Sequence, residues 1–374
     1  MRRWGALAGL ALVIATAGAA APGAASSASA SPALTAQVTA LIDGVRRKAA
    51  ALPASDEGWK SLAPEVERLV ALAESEVAGG RLYTALERLA DANRYVGGAS
   101  FSFAHPEMNT DLDRFTAGWS AADRDLKAGE AAWRAGSWKK TPAAVRGVAE
   151  IEYGQVRPLY MASRDYAVAD SPASGTHYVG QALAAMEYAR AVQAIRFESA
   201  PGSFPARSFA PEIAALDAKV VAAYRPPRAI DNHNDFIRID GTLKMAAELD
   251  AAGLHYGSLL AWIRSLRLFG ALEAGWSDAP SRPVDTLRAE AAALPEKLKT
   301  PGDDSIARLL QQQAEGAIER SAAPDTAALQ LAAADAVLTR VVPAWAEARG
   351  RRRPAATAAV PDPVRVTLVR WPYT

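Results

Sequence analysis

Asp231, Asn232, His233, Asn234 and Asp235 stand in a row shortly after the Pro226-Pro227 pair, five side chains rich in oxygen and nitrogen donors. Divalent cations are held by carboxylate and amide oxygens and by imidazole nitrogen, so Asp231, His233 and Asp235 are the candidate metal ligands. Their spacing matches no established metal loop. The same residue types are favoured helix caps, and Asp231, Asn232 or Asp235 could instead close the N-terminus of the helix that follows.

Two further histidines each precede a tyrosine: His177 before Tyr178, and His255 before Tyr256. Brought to one end of the fold, these four would form a binding surface, or the histidines an acid/base pair near neutral pH. Packed apart, each histidine would donate to a helix-end carbonyl beside a ring that plugs an interhelical gap. No nucleophile elbow, HExxH zinc helix, phosphate-cradling loop or dinucleotide fingerprint accompanies them, so no catalytic residue is assigned. No cofactor is expected, with a divalent metal at the Asp231 cluster as the alternative. Other acidic groups have simpler uses. Asp303 and Asp304 open a helix and offset its dipole, while Asp111, Asp113, Asp123 and Asp125 alternate with Arg114 and Arg124 as an ion-paired, solvated face.

The elements that would position these groups are helices. Half of the 374 residues are hydrophobic, alanine dominates that half, and β-branched residues are sparse. Alanine loses no side-chain entropy in a helix, so the fold expected is all-α: packed antiparallel helical hairpins, as an irregular solenoid or a multi-helix bundle, with a short extended C-terminal tail. Leu34, Val38, Leu41, Ile42 and Val45 recur at helical steps. A second helix is expected to open at Pro64 and stop at Gly79-Gly80, and a third to run from Leu82 to Gly97-Gly98. Aromatic loops follow at 100–109 and 199–211. Trp262 is in phase with Leu259 and Leu266 and is expected in the core, and Pro343 is expected to kink the last helix.

One hairpin turn recurs. The chain reads Ala78-Gly79-Gly80-Arg81-Leu82-Tyr83-Thr84-Ala85, later Ser174-Gly175-Thr176-His177-Tyr178, and later Ala252-Gly253-Leu254-His255-Tyr256, with a looser form at Ala135-Gly136-Ser137-Trp138. A glycine ends one helix left-handed, a large ring fills the gap, and a small residue lets the second helix close in. This resembles the interhelical turn of tetratricopeptide repeats. Gly80, Leu82 and Ala85 hold that family's spacing with leucine in the aromatic place, whereas Gly175 and Gly253 precede Tyr178 and Tyr256 by three residues. The steps of 95 and 78 residues between these glycines are not multiples of the family's period of roughly 34. The resemblance covers the turns alone and implies helical hairpins that hold a peptide or protein.

The compartment is read from the start of the chain. Arg2 and Arg3, an apolar stretch with Leu7, Leu10, Leu12, Val13 and Ile14, and Ala19 to Ala21 form the pattern of a secretory signal peptide. Residues 1–21 are therefore expected to be a signal peptide, 22–32 a flexible leader, 33–349 the helical hairpin domain with a seam at 198–211, and 350–374 a linker and extended tail. No transmembrane span is expected after cleavage, and the protein is placed in the periplasm or outside the cell. The absence of cysteine excludes thiolate metal sites and disulfides. A formal net charge of +1 gives no field to gather phosphate backbones, so nucleic acid is not an expected partner. The function expected is a non-enzymatic module that binds an envelope or secreted protein or peptide. The alternatives are a metal-dependent enzyme or binder using Asp231, His233 and Asp235, and a carrier of an apolar ligand.

Overall fold

Val38, Ile42 and Val45 point inward at four- and three-residue steps from α1 (Pro32–Ala50), the first helix of the computed structural model, which describes residues 32–138, 140–197, 207–276, 282–298 and 303–350. The expected signal peptide, the expected leader up to residue 31 and the expected tail from 351 onward lie outside the described residues. Among the described residues the chain is all-α.

Asp56 accepts the Trp59 N–H at 2.7 Å and starts α2 (Glu57–Ala78), so Pro64 lies inside that helix and does not open it. The third helix, α3 (Leu82–Ala104), also corrects an expectation: it runs straight through Gly97 and Gly98 and takes in Phe101 and Phe103. These glycines are a contact. A Cβ on Gly97 would stand 2.2 Å from the Cβ of Ala184, and one on Gly180 would stand 2.6 Å from the Gly97 carbonyl oxygen. Two backbones touch there, and helix-to-helix packing offsets the entropy that glycine costs a helix.

Ala184 and Gly180 belong to α6 (Pro172–Gln193), which forms a long hairpin with α5 (Ala143–Val168). With α4 (Leu112–Ala135), these helices enclose a smaller core around Phe115, Tyr160 and Met186. The α5–α6 turn is not made by Gly175. Asp170 takes the left-handed conformation (φ 61°) and Ser171 N–H reaches back to the Tyr166 carbonyl at 3.0 Å. Gly175 instead sits inside α6, where a Cβ would meet the Ser163 carbonyl at 2.6 Å. Aspartate tolerates that backbone region better than most residues, which is why a turn without glycine escaped the sequence pattern. Gly80 (φ 73°) and Gly253 (φ 76°) do make their turns.

After α6 come α7 (Ala210–Ala223), a single turn α8 (Arg228–Asp231), and the hairpin of α9 (His233–Ala251) with α10 (His255–Ala274). The larger core runs from Val38 to Ala348 across the expected seam; Phe209 is buried and stacks on Trp262 at 6.1 Å, so Trp262 is core as expected. α11 (Val284–Ala292), α12 (Leu294–Lys297), α13 (Ser305–Arg320), α14 (Ala327–Ala336) and α15 (Val342–Gly350) complete the order. Pro343 lies at the start of α15, just after a π-helical turn over Val337–Val341 in which Val342 N–H bonds the Val337 carbonyl. The wider turn accommodates a proline that has no N–H to give and would crowd the fourth carbonyl back. The stretch Pro324–Gly350, in which an 18-residue window reaches a mean hydropathy of 1.3, is long and apolar enough to cross a membrane by length and composition, which the sequence reading did not anticipate. Its Val337, Val341 and Trp345 are buried in the larger core.

Candidate functional site

The residues singled out in sequence are placed apart. His233 is the first residue of α9, exposed, with Nδ1 3.0 Å from the Tyr224 hydroxyl. Asp235 pairs with Arg238 at 2.9 Å, and Asn232 occupies the N-cap without a capping side-chain bond. Among the described residues no group of three or more His, Asp or Glu is arranged to hold a metal ion, Asp231, His233 and Asp235 included.

His177 lies on α6 against Gly98 of α3 and bonds Gln181 at 2.9 Å; burial holds its pKa below the ordinary value against a backbone contact with Gly98. Its neighbour Tyr178 stacks on Tyr166 at 4.8 Å, and burial followed by that ring's hydroxyl pushes the phenol up to about 12. His255 begins α10 and faces Asp250 at 3.1 Å. Glu150 of α5 receives the N–H groups of Tyr256 and Gly257, whereas Gly175 of α6 touches Ser163 of α5. Those two points on α5 are about 20 Å apart at 1.5 Å per residue, so His177 and His255 do not converge. Tyr256 has a different partner. Its ring lies under the Arg146 guanidinium at 4.5 Å, with Trp138 also under that guanidinium at 5.0 Å and Glu150 on its Nε at 2.7 Å.

Sequence reasoning missed the most unusual chemistry, a cluster of arginines from α3, α10 and α13. Arg267 of α10 is partly buried and its guanidinium makes no hydrogen bond or ion pair with any described residue; the same holds for Arg88 of α3 and for Arg264, which is exposed. Burial first, then the charges of Arg88, Arg264 and Arg320, push the Arg267 pKa down to about 9, with Glu87 acting in the opposite direction. Arg94 shows the contrast. Burial alone would lower it, but Glu152 and Asp91 pair with it directly and hold it well above the ordinary value. Arg267 has three neighbours of its own sign against one carboxylate, Glu87, where Arg94 has two carboxylates paired with it.

The surroundings of the cluster are built. Glu76 of α2 is fully buried and is shared by Arg81 and by Arg320, the latter at 2.5 Å. Gly316 leaves the space for this: a Cβ there would stand 3.0 Å from both Glu76 oxygens. Gln312 accepts the Tyr83 N–H at 3.1 Å and Asp303 accepts the Ala143 N–H at 2.5 Å, so α13 caps the starts of both α3 and α5. Asp303 therefore does more than offset its own helix dipole. Within this framework Thr84 Oγ1, Arg88 Nε, Glu152 Oε2 and Gln313 Oε1 are buried without a hydrogen-bond partner among the described residues. Such groups cost about 1–3 kcal/mol each unless something pairs with them.

Guanidinium groups are planar forks of donors that match carboxylate and phosphate oxygens two by two. The signal for this cluster was present in sequence as Arg264 and Arg267 inside an otherwise apolar helix and as Arg88 near the start of α3. What sequence could not give is that helices about 180 residues apart bring them together. Two shallow hollows elsewhere, one of about 400 Å³ beside Gly129 and Met186 and one of about 500 Å³ beside Tyr224 and Ile230, hold no comparable set of groups. No family model, curated protein or solved structure matches the chain.

Proposed function

We propose that this is an exported, non-enzymatic binding protein of the cell envelope, an interaction module whose contact point is the arginine cluster. The observation that carries this reading is that Arg88 and Arg267, which act on each other electrostatically, are partly buried with no carboxylate ion-paired to either among the described residues. Unpaired, partly buried arginines are costly in isolation and become strong anchors once a partner supplies the anion. Arginine clusters recognise acidic segments in this way. The helical framework supports the reading too, because Gln312 of α13 caps α3 and Glu150 of α5 caps α10, the helices that carry Arg88 and Arg267.

Asp231, His233 and Asp235 contribute nothing to it, since their side chains are committed to separate local partners or to solvent. The test is in-cell crosslinking in the envelope with the intact chain and with Arg264→Glu, which reverses an exposed charge. Envelope proteins recovered with the intact chain and lost with Arg264→Glu are the expected result. Recovery of the same set with both would remove the arginine cluster from the function.

A further inference from the structure

Among the described residues Ile230 is the most exposed of the large apolar side chains, at 73%. It stands on α8, the single turn between α7 and α9. Val221 and Tyr224 at the end of α7 (64% and 45%) and Ile237 in the second turn of α9 (56%) are exposed as well. The Tyr224 ring stands edge-on to Phe236 at 5.0 Å and its hydroxyl meets His233 Nδ1 at 3.0 Å, which ties the end of α7 to the start of α9. Scattered exposed side chains need no explanation, but a gathered group of this kind marks a contact surface.

The patch carries a hole as well as a knob. Tyr224, Pro226, Ala229, Ile230 and His233 line a shallow hollow of about 500 Å³, so Ile230 forms one wall of it and also projects beside it. Both signs of charge flank the hollow. Arg228 is drawn over the Trp276 ring at 4.5 Å, and Arg238 is paired with Asp235. Arg225, between the lining residues Tyr224 and Pro226, and Asp231, next to Ile230, are exposed, and neither side chain makes an ion pair or hydrogen bond with any described residue.

We propose that this patch joins a second copy of the chain in a two-fold dimer, with Ile230 of each copy seated in the hollow of the other. A two-fold contact brings the same surface of each copy together, so it needs a patch complementary to itself. A knob beside a hole meets that requirement in shape. Charge follows along the chain: as Ile230 enters the hollow, Asp231 beside it comes to the partner's Arg225. A lipid surface would account for the exposed isoleucines, but it gives no reason for an unpaired cation and an unpaired anion on the rim of one hollow. Thirteen exposed residues between Val221 and Arg238 make up this face, fewer than the roughly 20–30 a side of a standard interface, so the dimer is weak, with a dissociation constant of about 10–100 µM. Arg88, Arg264 and Arg267 do not line the hollow, and the inference stands apart from the arginine cluster.

The experiment is sedimentation velocity of the whole purified chain from about 1 to about 300 µM, where a reversible monomer–dimer equilibrium is expected. Ile230→Asp is expected to raise the dissociation constant at least about tenfold. Arg225→Asp and Asp231→Arg should each raise it about threefold or more, because each sets like charges against one another across the two-fold. An equimolar mixture of these two variants should recover the dimer, since each then supplies the sign the other lacks. All three positions are exposed, and far-UV circular dichroism matching the native chain keeps folding out of the comparison. A native chain that stays monomeric throughout, a dimer that none of the three variants weakens, or a mixture no better than its parts overturns the inference. If the monomeric chain floats with phosphatidylglycerol vesicles and Ile230→Asp does not, the patch belongs to a lipid surface and the dimer is wrong.

Discussion

The Glu150 carboxylate, buried on α5, accepts the backbone N–H of Tyr256, the second residue of α10, at 2.9 Å. It accepts the Gly257 N–H at 2.9 Å as well, and Arg146 Nε at 2.7 Å. The first N–H groups of a helix have no partner within it, and here an acid from another helix supplies one and meets the positive end of the dipole. This sets where α10 stands along α5, and so where Arg264 and Arg267 are presented. Glu150→Ala would leave two buried N–H groups and a guanidinium without their acceptor, and we expect it to cost about 3–5 kcal/mol in urea unfolding. Glu150→Gln keeps one acceptor oxygen and should cost less than half as much. A loss under about 1 kcal/mol for Glu150→Ala would show that this carboxylate does not position α10.

His177 gives a pH dependence with a definite sign. Burial against Gly98 holds its folded pKa below the ordinary value of 6.5. The unfolded chain therefore takes up the proton first as pH falls, and folding stability drops below pH 6.5 until the folded histidine also charges. His177→Gln removes that proton uptake and retains a polar side chain of similar length beside Gln181. Urea midpoints measured from about pH 7 to about pH 5 should fall more steeply for the native chain than for the variant. Parallel curves would mean that His177 titrates alike in both states.

Gly97 and Gly241 both sit inside helices and should respond in opposite directions. A Cβ at Gly97 would lie 2.2 Å from the Ala184 Cβ, whereas one at Gly241 of α9 meets nothing within 4 Å. Gly97→Ala is expected to destabilise by about 1–3 kcal/mol through forced separation of α3 and α6. Gly241→Ala should stabilise by about 0.5–1 kcal/mol, because alanine loses less backbone freedom on folding. Denaturant midpoints of the two variants check both signs at once.

The same glycines show where sequence stopped being informative. Alanine content and the Val38, Ile42, Val45 spacing made the helical class legible, since both report local preferences. Gly97 and Gly98 read as a stop because glycine weakens a helix, and only their contact with Gly180 and Ala184 reverses that. The turn at Asp170 was missed for the converse reason: a left-handed aspartate carries no strong local signature. At the candidate site the difference is larger. His177, Tyr178, His255 and Tyr256 share a local pattern yet end at separate points on α5, while Arg88, Arg267 and Arg320 share no pattern and are close in space.

Arg267 and Arg94 form the sharpest test of that electrostatic picture, because both are arginines in the same part of the fold with opposite surroundings. Arg94 pairs with Glu152, which is itself buried, so Arg94→Gln leaves a buried carboxylate without its cation and should cost about 3–5 kcal/mol. Arg267 has three like charges against the single carboxylate of Glu87, so Arg267→Gln should raise the melting temperature. The gain should be larger at about 0.02 M salt than at about 0.5 M, since the Debye length shortens and the repulsion among Arg88, Arg264 and Arg320 is screened at the exposed side. A buried neutral side chain also escapes the desolvation that a guanidinium meets. Melts of both variants at the two salt concentrations give the comparison. If Arg267→Gln lowers the melting temperature as Arg94→Gln does, Arg267 is held by attraction and the repulsion from Arg88, Arg264 and Arg320 does not dominate its surroundings.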